Sequence, residues 1–171
     1  KPDALLLTRE RYTSHEKLSQ GAVILDGSEN ASVQYAQCCR PVPGDSIVGY
    51  LGRGEGLVVH TSGCAVAARL KHRDSERFIA VDWADEPVRQ FETGLVVTVT
   101  NRKGVLARVA ADLAQSEVDI TKVDMGEEDQ HDTTDLRFVI SVRDAAHLDA
   151  ALRNLKRTSS VLRAQRITPH A

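Results

Sequence analysis

Cys38-Cys39-Arg40-Pro41-Val42-Pro43-Gly44-Asp45 opens a stretch that runs through Gly49, Gly52, Gly54 and Gly56 and closes on His60-Thr61-Ser62-Gly63-Cys64. All three cysteines of the chain fall within it. Ile47–Leu51 and Leu57–His60 are short apolar runs around Gly52-Arg53-Gly54-Glu55-Gly56, the pattern of two strands joined by a turn. The glycines lack the Lys-Ser/Thr of a phosphate loop and join strand to strand, so a tight hairpin accounts for them. Beyond it, Ser62 is placed to cap a helix over 64–73, with Val66, Ala67 and Leu70 facing inward.

Working outward, Ala22–Leu25 reads as a first strand ended by Asp26-Gly27-Ser28, and Phe78–Trp83 as a closing strand. The result is an α+β unit over residues 21–84, roughly 65 residues long, near the size at which a core alone is marginal and a metal staple is useful. Residues 1–20 read as a linker end with a weak helix at Ser14–Leu18. The charge-plus-proline break Asp85-Glu86-Pro87 lies in a second linker, residues 85–90.

Residues 91–171 form the second domain. Leu95–Thr100 is a strand, and Val105–Gln115 a helix with Leu106, Val109, Ala110 and Leu113 on one face. A strand follows over 118–127, then an acidic turn over 127–132. The next strand alternates Leu136, Phe138, Ile140 and Val142 inward. Asp144 caps a second helix carrying Leu148, Leu152 and Leu155, and Val161–Thr168 is the last strand. The order is βαββαβ, a ferredoxin-like split β-α-β sandwich with both helices on one face of an antiparallel sheet.

With 42% hydrophobic and 27% charged residues, the 171-residue chain has the composition of a soluble globular protein. Three cysteines, two of them adjacent, argue for a reducing compartment and a cytoplasmic location. No apolar run is long enough to cross a bilayer, and a start at Lys1 rather than Met suggests an excised piece. Residues 21–84 carry six Lys/Arg against seven Asp/Glu, and residues 91–171 eleven against twelve. Neither half is a general polyanion binder, so any RNA contact would be local.

Cys38, Cys39, His60 and Cys64 are candidate zinc ligands. Adjacent cysteines on an extended segment point to opposite faces, so a three-ligand set is expected unless the pair is bent. Small buried thiols packed beside a histidine are the plainer reading. A Cys-His nucleophile oriented by Asp45 is a third, though no oxyanion signature accompanies it. Arg69, Lys71, His72 and Arg73, with Arg40 and Arg53 on loops, either complement a helix dipole or meet RNA phosphates. At Asn101-Arg102-Lys103-Gly104-Val105-Leu106 the helix start presents unpaired amides that a carboxylate would suit; a plain strand-to-helix turn capped by Asn101 is the alternative. His131-Asp132 reads as solvated loop.

Cys38–Asp45, Gly56–His60 and Cys64 together resemble the ribosome-intersubunit, or zinc-finger-like, domain of the long RelA/SpoT homologues, the (p)ppGpp synthetases and hydrolases of the bacterial stringent response. The βαββαβ unit with Asn101-x-x-Gly104-x-Leu106 resembles the ACT domain that follows it, and the wording of Gly56–His60 is nearer the SpoT-like bifunctional branch. The resemblance covers about residues 20–168. It implies a non-catalytic regulatory region, the catalytic domains and their Mn/Mg requirement lying upstream in the parent. It assigns Arg40, Arg53, His60, Arg69, Lys71 and Arg73 to a ribosomal RNA face. It assigns Asn101, Gly104, Val105, Leu106, Ile120 and Lys122 to an amino-acid site, a branched-chain amino acid being the expected ligand, and it implies a homodimer through the ACT unit, with the ribosome or a regulatory protein as partner. Many amino-acid-binding ACT loops have Asp where this chain has Asn101 and Pro where it has Lys103.

Overall fold

The computed structural model describes residues 22–30, 32–125 and 132–167. The chain divides into two units between Gln90 and Phe91. The weak helix expected at Ser14–Leu18 and most of the acidic turn lie outside the described residues.

In the first unit, β3 (Ile47–Gly52) and β4 (Gly56–Thr61) form the expected antiparallel hairpin, with Gly52 opposite Gly56. Two strands flank it: β2 (Val33–Tyr35) runs parallel to β4, and β5 (Phe78–Ile79) antiparallel to β3, giving the order β2-β4-β3-β5. A second, two-stranded sheet pairs β1 (Val23–Leu25) in parallel with β6 (Val81–Trp83). Val23, Ile24, Leu25, Val33, Leu57, Val59 and Val81 fill the space between. The two sheets approach so closely at Gly49 that a Cβ there would lie 2.8 Å from both Leu57 Cδ1 and Val81 Cγ1. Gly56 is held at φ +79°, where a Cβ would meet the Ser32 carbonyl oxygen that ties β2 to β4.

One strand was not expected, and three local expectations are corrected. β2 has no sequence signal, because three residues show no alternation and its partner is remote. The single strand expected over 78–83 breaks at Ala80, whose carbonyl accepts the Val23 N–H at 2.9 Å, so its halves serve different sheets. Helix α1 (Ala65–Arg73) starts on Cys64 without a side-chain cap; Ser62 instead donates its N–H to Ser46 O. The segment expected as a linker is tied to the first unit: the Ala84 and Val88 amides donate to Leu25 O and Asp26 O, and the Arg89 guanidinium lies 5.1 Å from the Tyr35 ring centroid. Tyr35 in turn stacks on Trp83, centroids 5.7 Å apart.

The second unit has the predicted βαββαβ order: β7 (Phe91–Thr100), α2 (Val105–Gln115), β8 (Asp119–Met125), β9 (Thr133–Val142), α3 (Ala145–Lys156) and β10 (Val161–Arg166). The sheet order is β10-β7-β9-β8, antiparallel throughout. Leu95, Val97 and Val99 on β7 and Leu136, Phe138, Ile140 and Val142 on β9 meet Val109, Leu113, Leu148, Ala151 and Leu155 of the helices in one core. β7 is longer than expected, reaching back to Phe91 opposite Val142; Glu92 and Gly94 hide that extension in the sequence.

The β9-to-α3 turn is secured twice. Asp144 Oδ1 accepts the His147 N–H at 2.8 Å, the cap the sequence predicts. The buried His147 ring accepts the Arg143 N–H at Nδ1 (3.0 Å) and places Nε2 2.8 Å from Ser116 O, which requires the tautomer protonated at Nε2. One imidazole thus joins the start of α3 to the turn after α2. Among the described residues, no helix is long and apolar enough to cross a membrane.

Candidate metal centre and ligand surfaces

The segment after β2 decides the geometry of the thiols. Gln37-Cys38-Cys39 is a turn rather than extended chain: the Arg40 N–H donates to Ala36 O at 2.8 Å, and Arg40 takes a left-handed φ of 46°. Both sulfurs therefore turn to one side, 3.9 Å apart, which corrects the expectation that only one could join the set. His60 enters from the end of β4 and Cys64 from the residue preceding α1.

Cys38 Sγ lies 3.4 Å from His60 Nδ1 and 3.6 Å from Cys64 Sγ, and Cys39 Sγ lies 3.8 Å from His60 Nδ1. All four donor atoms lie within 4.8 Å of one another. A zinc tetrahedron with ordinary bond lengths has edges of ~3.8 Å between sulfurs and ~3.6 Å between sulfur and imidazole nitrogen. The spacings fit a Cys3His set around one ion. Cys39 Sγ also accepts the Thr61 N–H at 3.3 Å, an outer hydrogen bond that would orient it toward a metal. Cys39, His60 and Cys64 are buried and Cys38 is exposed.

Although Cys38 is exposed as a residue, partial desolvation of its sulfur within the cluster, reinforced by the Cys64 and Cys39 sulfurs beside it, pushes the thiol up to about 12. Burial also raises Cys39, against the opposing Thr61 N–H, and lowers His60. A catalytic thiol needs the opposite shift. Asp45, the orienting group of a nucleophile reading, instead accepts the Val42 N–H at 2.8 Å and closes the Pro-Val-Pro-Gly-Asp turn.

The basic residues are spread around this centre. Arg53 is at the exposed hairpin tip, and Arg69, Lys71, His72 and Arg73 are exposed on α1. Arg40 is half-buried beside the thiols. His60 is 4% exposed with Nδ1 among the sulfurs, so its ring belongs to the cluster rather than to an outer face.

In the second unit, Gly104 is the residue before α2 and sits at φ +80° with nothing within 4 Å of a Cβ built there, so it is required by its backbone conformation. Asn101, Arg102 and Lys103 are exposed, the Asn101 N–H donates to Asp132 O, and no side chain caps the helix. Val105 is buried and Leu106 half-buried. Ile120 and Lys122 do not share a face. Ile120 pairs with Ile140 and Lys122 with the adjacent Val139, because a bulge at Thr121, whose Oγ1 donates to Val139 O at 3.1 Å, shifts the register. Ile120 faces the helices; Lys122 faces away. Val123 and Met125, paired with Phe138 and Leu136, continue the helix-side row and are 43% and 52% exposed. Sequence reading missed them: the bulge reverses the alternation on which it relied.

A cysteine-histidine α+β module followed by an ACT-type βαββαβ unit defines a regulatory domain pair. Residues 23–84 match the RelA/SpoT RIS domain and residues 87–166 the ACT domain. The chain thus carries a RelA/SpoT RIS domain followed by an ACT domain, and the two matches together span most of its length. It is 30% identical over 149 residues to the bifunctional (p)ppGpp synthase/hydrolase SpoT of Escherichia coli strain K12, covering 86% of this chain and 21% of that protein. It is 27% identical over 160 residues to a GTP pyrophosphokinase of Photobacterium angustum, covering 94% of this chain and 22% of that protein. The chain thus spans about a fifth of the length of these relatives. The ACT domain of a GTP pyrophosphokinase from Chlorobium tepidum aligns with 46% of this chain and 99% of its own, at 14% identity and a TM-score of 0.40.

Proposed function

We propose that this chain is the non-catalytic regulatory region of a (p)ppGpp synthetase/hydrolase of the stringent response, with a structural zinc in its RIS unit and a signal-receiving surface on its ACT unit. The observation that carries the reading is the closed donor set. Cys38, Cys39, His60 and Cys64 supply four ligands, which leaves no coordination position for a substrate, and a closed set is the mark of a structural metal. Bound there, zinc would replace four mutually crowded weak donors by four bonds and fasten the turn at 38–39 to β4 and α1. Exposed Arg53, Arg69, Lys71 and Arg73 are the residues of this unit positioned for RNA phosphates.

The ACT unit supports two kinds of traffic. The helix-side row of Ile120, Val123 and Met125 suits the side chain of a branched-chain amino acid, and the first-turn amide of Leu106 suits a carboxylate, the Val105 N–H being donated to Arg102 O at 3.3 Å. The β8 edge also suits pairing with a second copy. An occupant of either surface would act on the distant catalytic domains through its different affinity for their conformations.

Deleting residues 23–167 from the parent is the test. We expect the response of (p)ppGpp levels to starvation to be lost while catalysis persists; a deletion that abolishes both activities would overturn the regulatory assignment. For the ACT surface, calorimetric titration with valine, isoleucine and leucine is expected to give saturable heat that Met125→Asp weakens at least about tenfold, the effect of placing a charge beside a buried apolar side chain. Heat unaltered by Met125→Asp would remove this row from the site, and no heat with any of the three would leave the unit a pairing or relay element.

A further inference from the structure

We infer that Cys38 and Cys64 form a hydroperoxide-sensitive pair whose oxidation releases the zinc, making the cluster a redox input to the regulatory region. This rests on the reading of the cluster as a zinc site and assigns it a regulation.

The asymmetry of the four ligands carries the inference. Cys38 alone is exposed, so an oxidant reaches it first, while Cys64 is fully buried with its sulfur 3.6 Å behind Cys38 Sγ. A disulfide needs the sulfurs to close to about 2 Å, a movement within reach of a turn residue and a residue at a helix start. Cys39 is the poorer resolving partner. Its sulfur is farther away at 3.9 Å, it is already engaged by the Thr61 N–H, and joining it to its immediate neighbour would close a strained ring through one peptide bond.

The chemistry balances. As a zinc ligand Cys38 would be held as the thiolate that its raised free-thiol pKa otherwise disfavours; this thiolate attacks the near oxygen of the hydroperoxide, the O–O bond breaks, the alkoxide or hydroxide leaves, and Cys38 becomes a sulfenic acid. The Cys64 thiolate then attacks that sulfur; the S–S bond forms, the S–O bond breaks and hydroxide leaves. Both leaving groups take protons from water. Two thiolates lose two electrons in all, and the hydroperoxide gains them. Only Cys39 and His60 then remain as ligands, too few to retain zinc. A dithiol reductant reverses the step.

The test uses the 171-residue chain loaded with zinc and treated with stoichiometric hydrogen peroxide. A chromophoric chelator follows the metal, and peptide mass mapping after alkylation follows the thiols. We expect metal release in step with a Cys38–Cys64 crosslink, an alkylatable Cys39, and recovery with dithiothreitol and added zinc. Cys38→Ser should slow oxidation of the remaining thiols at least about tenfold, because both survivors are buried. Zinc retained under peroxide, a crosslink through Cys39, or Cys38 carried to sulfinic acid without any crosslink would overturn the inference while leaving the metal site intact. If the chain takes up no zinc, the metal reading fails and the release step with it; a Cys38–Cys64 crosslink would then support the redox pair alone, and its absence would refute that too.

Discussion

Replacing Cys64 by Ser is expected to abolish stoichiometric zinc binding and to lower the melting temperature of the RIS unit by more than about 10 °C, while the ACT transition stays in place. Cys64 has no exposed surface, precedes α1 directly, and has its sulfur 3.6 Å from Cys38 Sγ. A serine keeps the volume but offers a hydroxyl, a poor zinc ligand beside thiolates. In a unit whose two sheets share a core of seven buried aliphatic residues, a bound metal would supply a large part of the folding free energy. A loss of about 3 kcal/mol corresponds to roughly 10–25 °C in a domain this small. The measurement is calorimetry of wild type and variant with and without a chelator. The chelator should move wild type to the variant's position and leave the variant unmoved; a variant that melts like wild type, with both insensitive to chelator, would make these packing cysteines.

The second large effect is expected at His147. His147→Phe keeps an aromatic ring but removes both ring nitrogens, stranding the Arg143 N–H and the Ser116 carbonyl that the imidazole now joins. Unpaired buried groups cost about 1–3 kcal/mol each. Arg143 is exposed and Ser116 half-buried, so water relieves part of that cost, and a net loss of about 2–3 kcal/mol is expected. Urea unfolding of the ACT unit should show a lower midpoint with unchanged slope. An unmoved midpoint would mean that solvent substitutes fully for the ring.

No helical periodicity or motif spacing pointed to His147; its role comes from two turns distant in sequence that the fold brings together. The second unit was otherwise largely legible, because its strands alternate and its helices repeat at 3.6, so hydrophobic pattern and structure coincide from Leu136 to Val142 and from Val105 to Gln115. What escaped was register. A bulge at Thr121 leaves no mark on composition, yet it separates Ile120 from Lys122 and brings Val123 and Met125 into Ile120's row. In the first unit the hairpin and α1 were readable for the same reason, and Phe78–Trp83 was readable as strand, but β2 and the division of 78–83 into β5 and β6 were not. Each of these strands is only two or three residues long and is defined by a partner far along the chain. The cysteine cluster was half legible. Residue types named the ligands, but the left-handed Arg40 that bends Cys38 and Cys39 to one side is a property of tertiary packing, since arginine has no preference for that conformation.

The parallel pairing of β1 with β6 has a bearing on synthesis. Val23 is among the first residues of its unit to leave the ribosome, yet its partner Val81 is among the last, so the small sheet cannot close until nearly the whole unit has been made. The ligand cluster matures earlier, once Cys64 has emerged. A nascent chain that takes up zinc at that moment holds its central turn and hairpin in place while β1 waits with its backbone unpaired. The pace of synthesis from Cys64 to Trp83 would then set how long that edge is open to aggregation, a vulnerability absent from the finished fold.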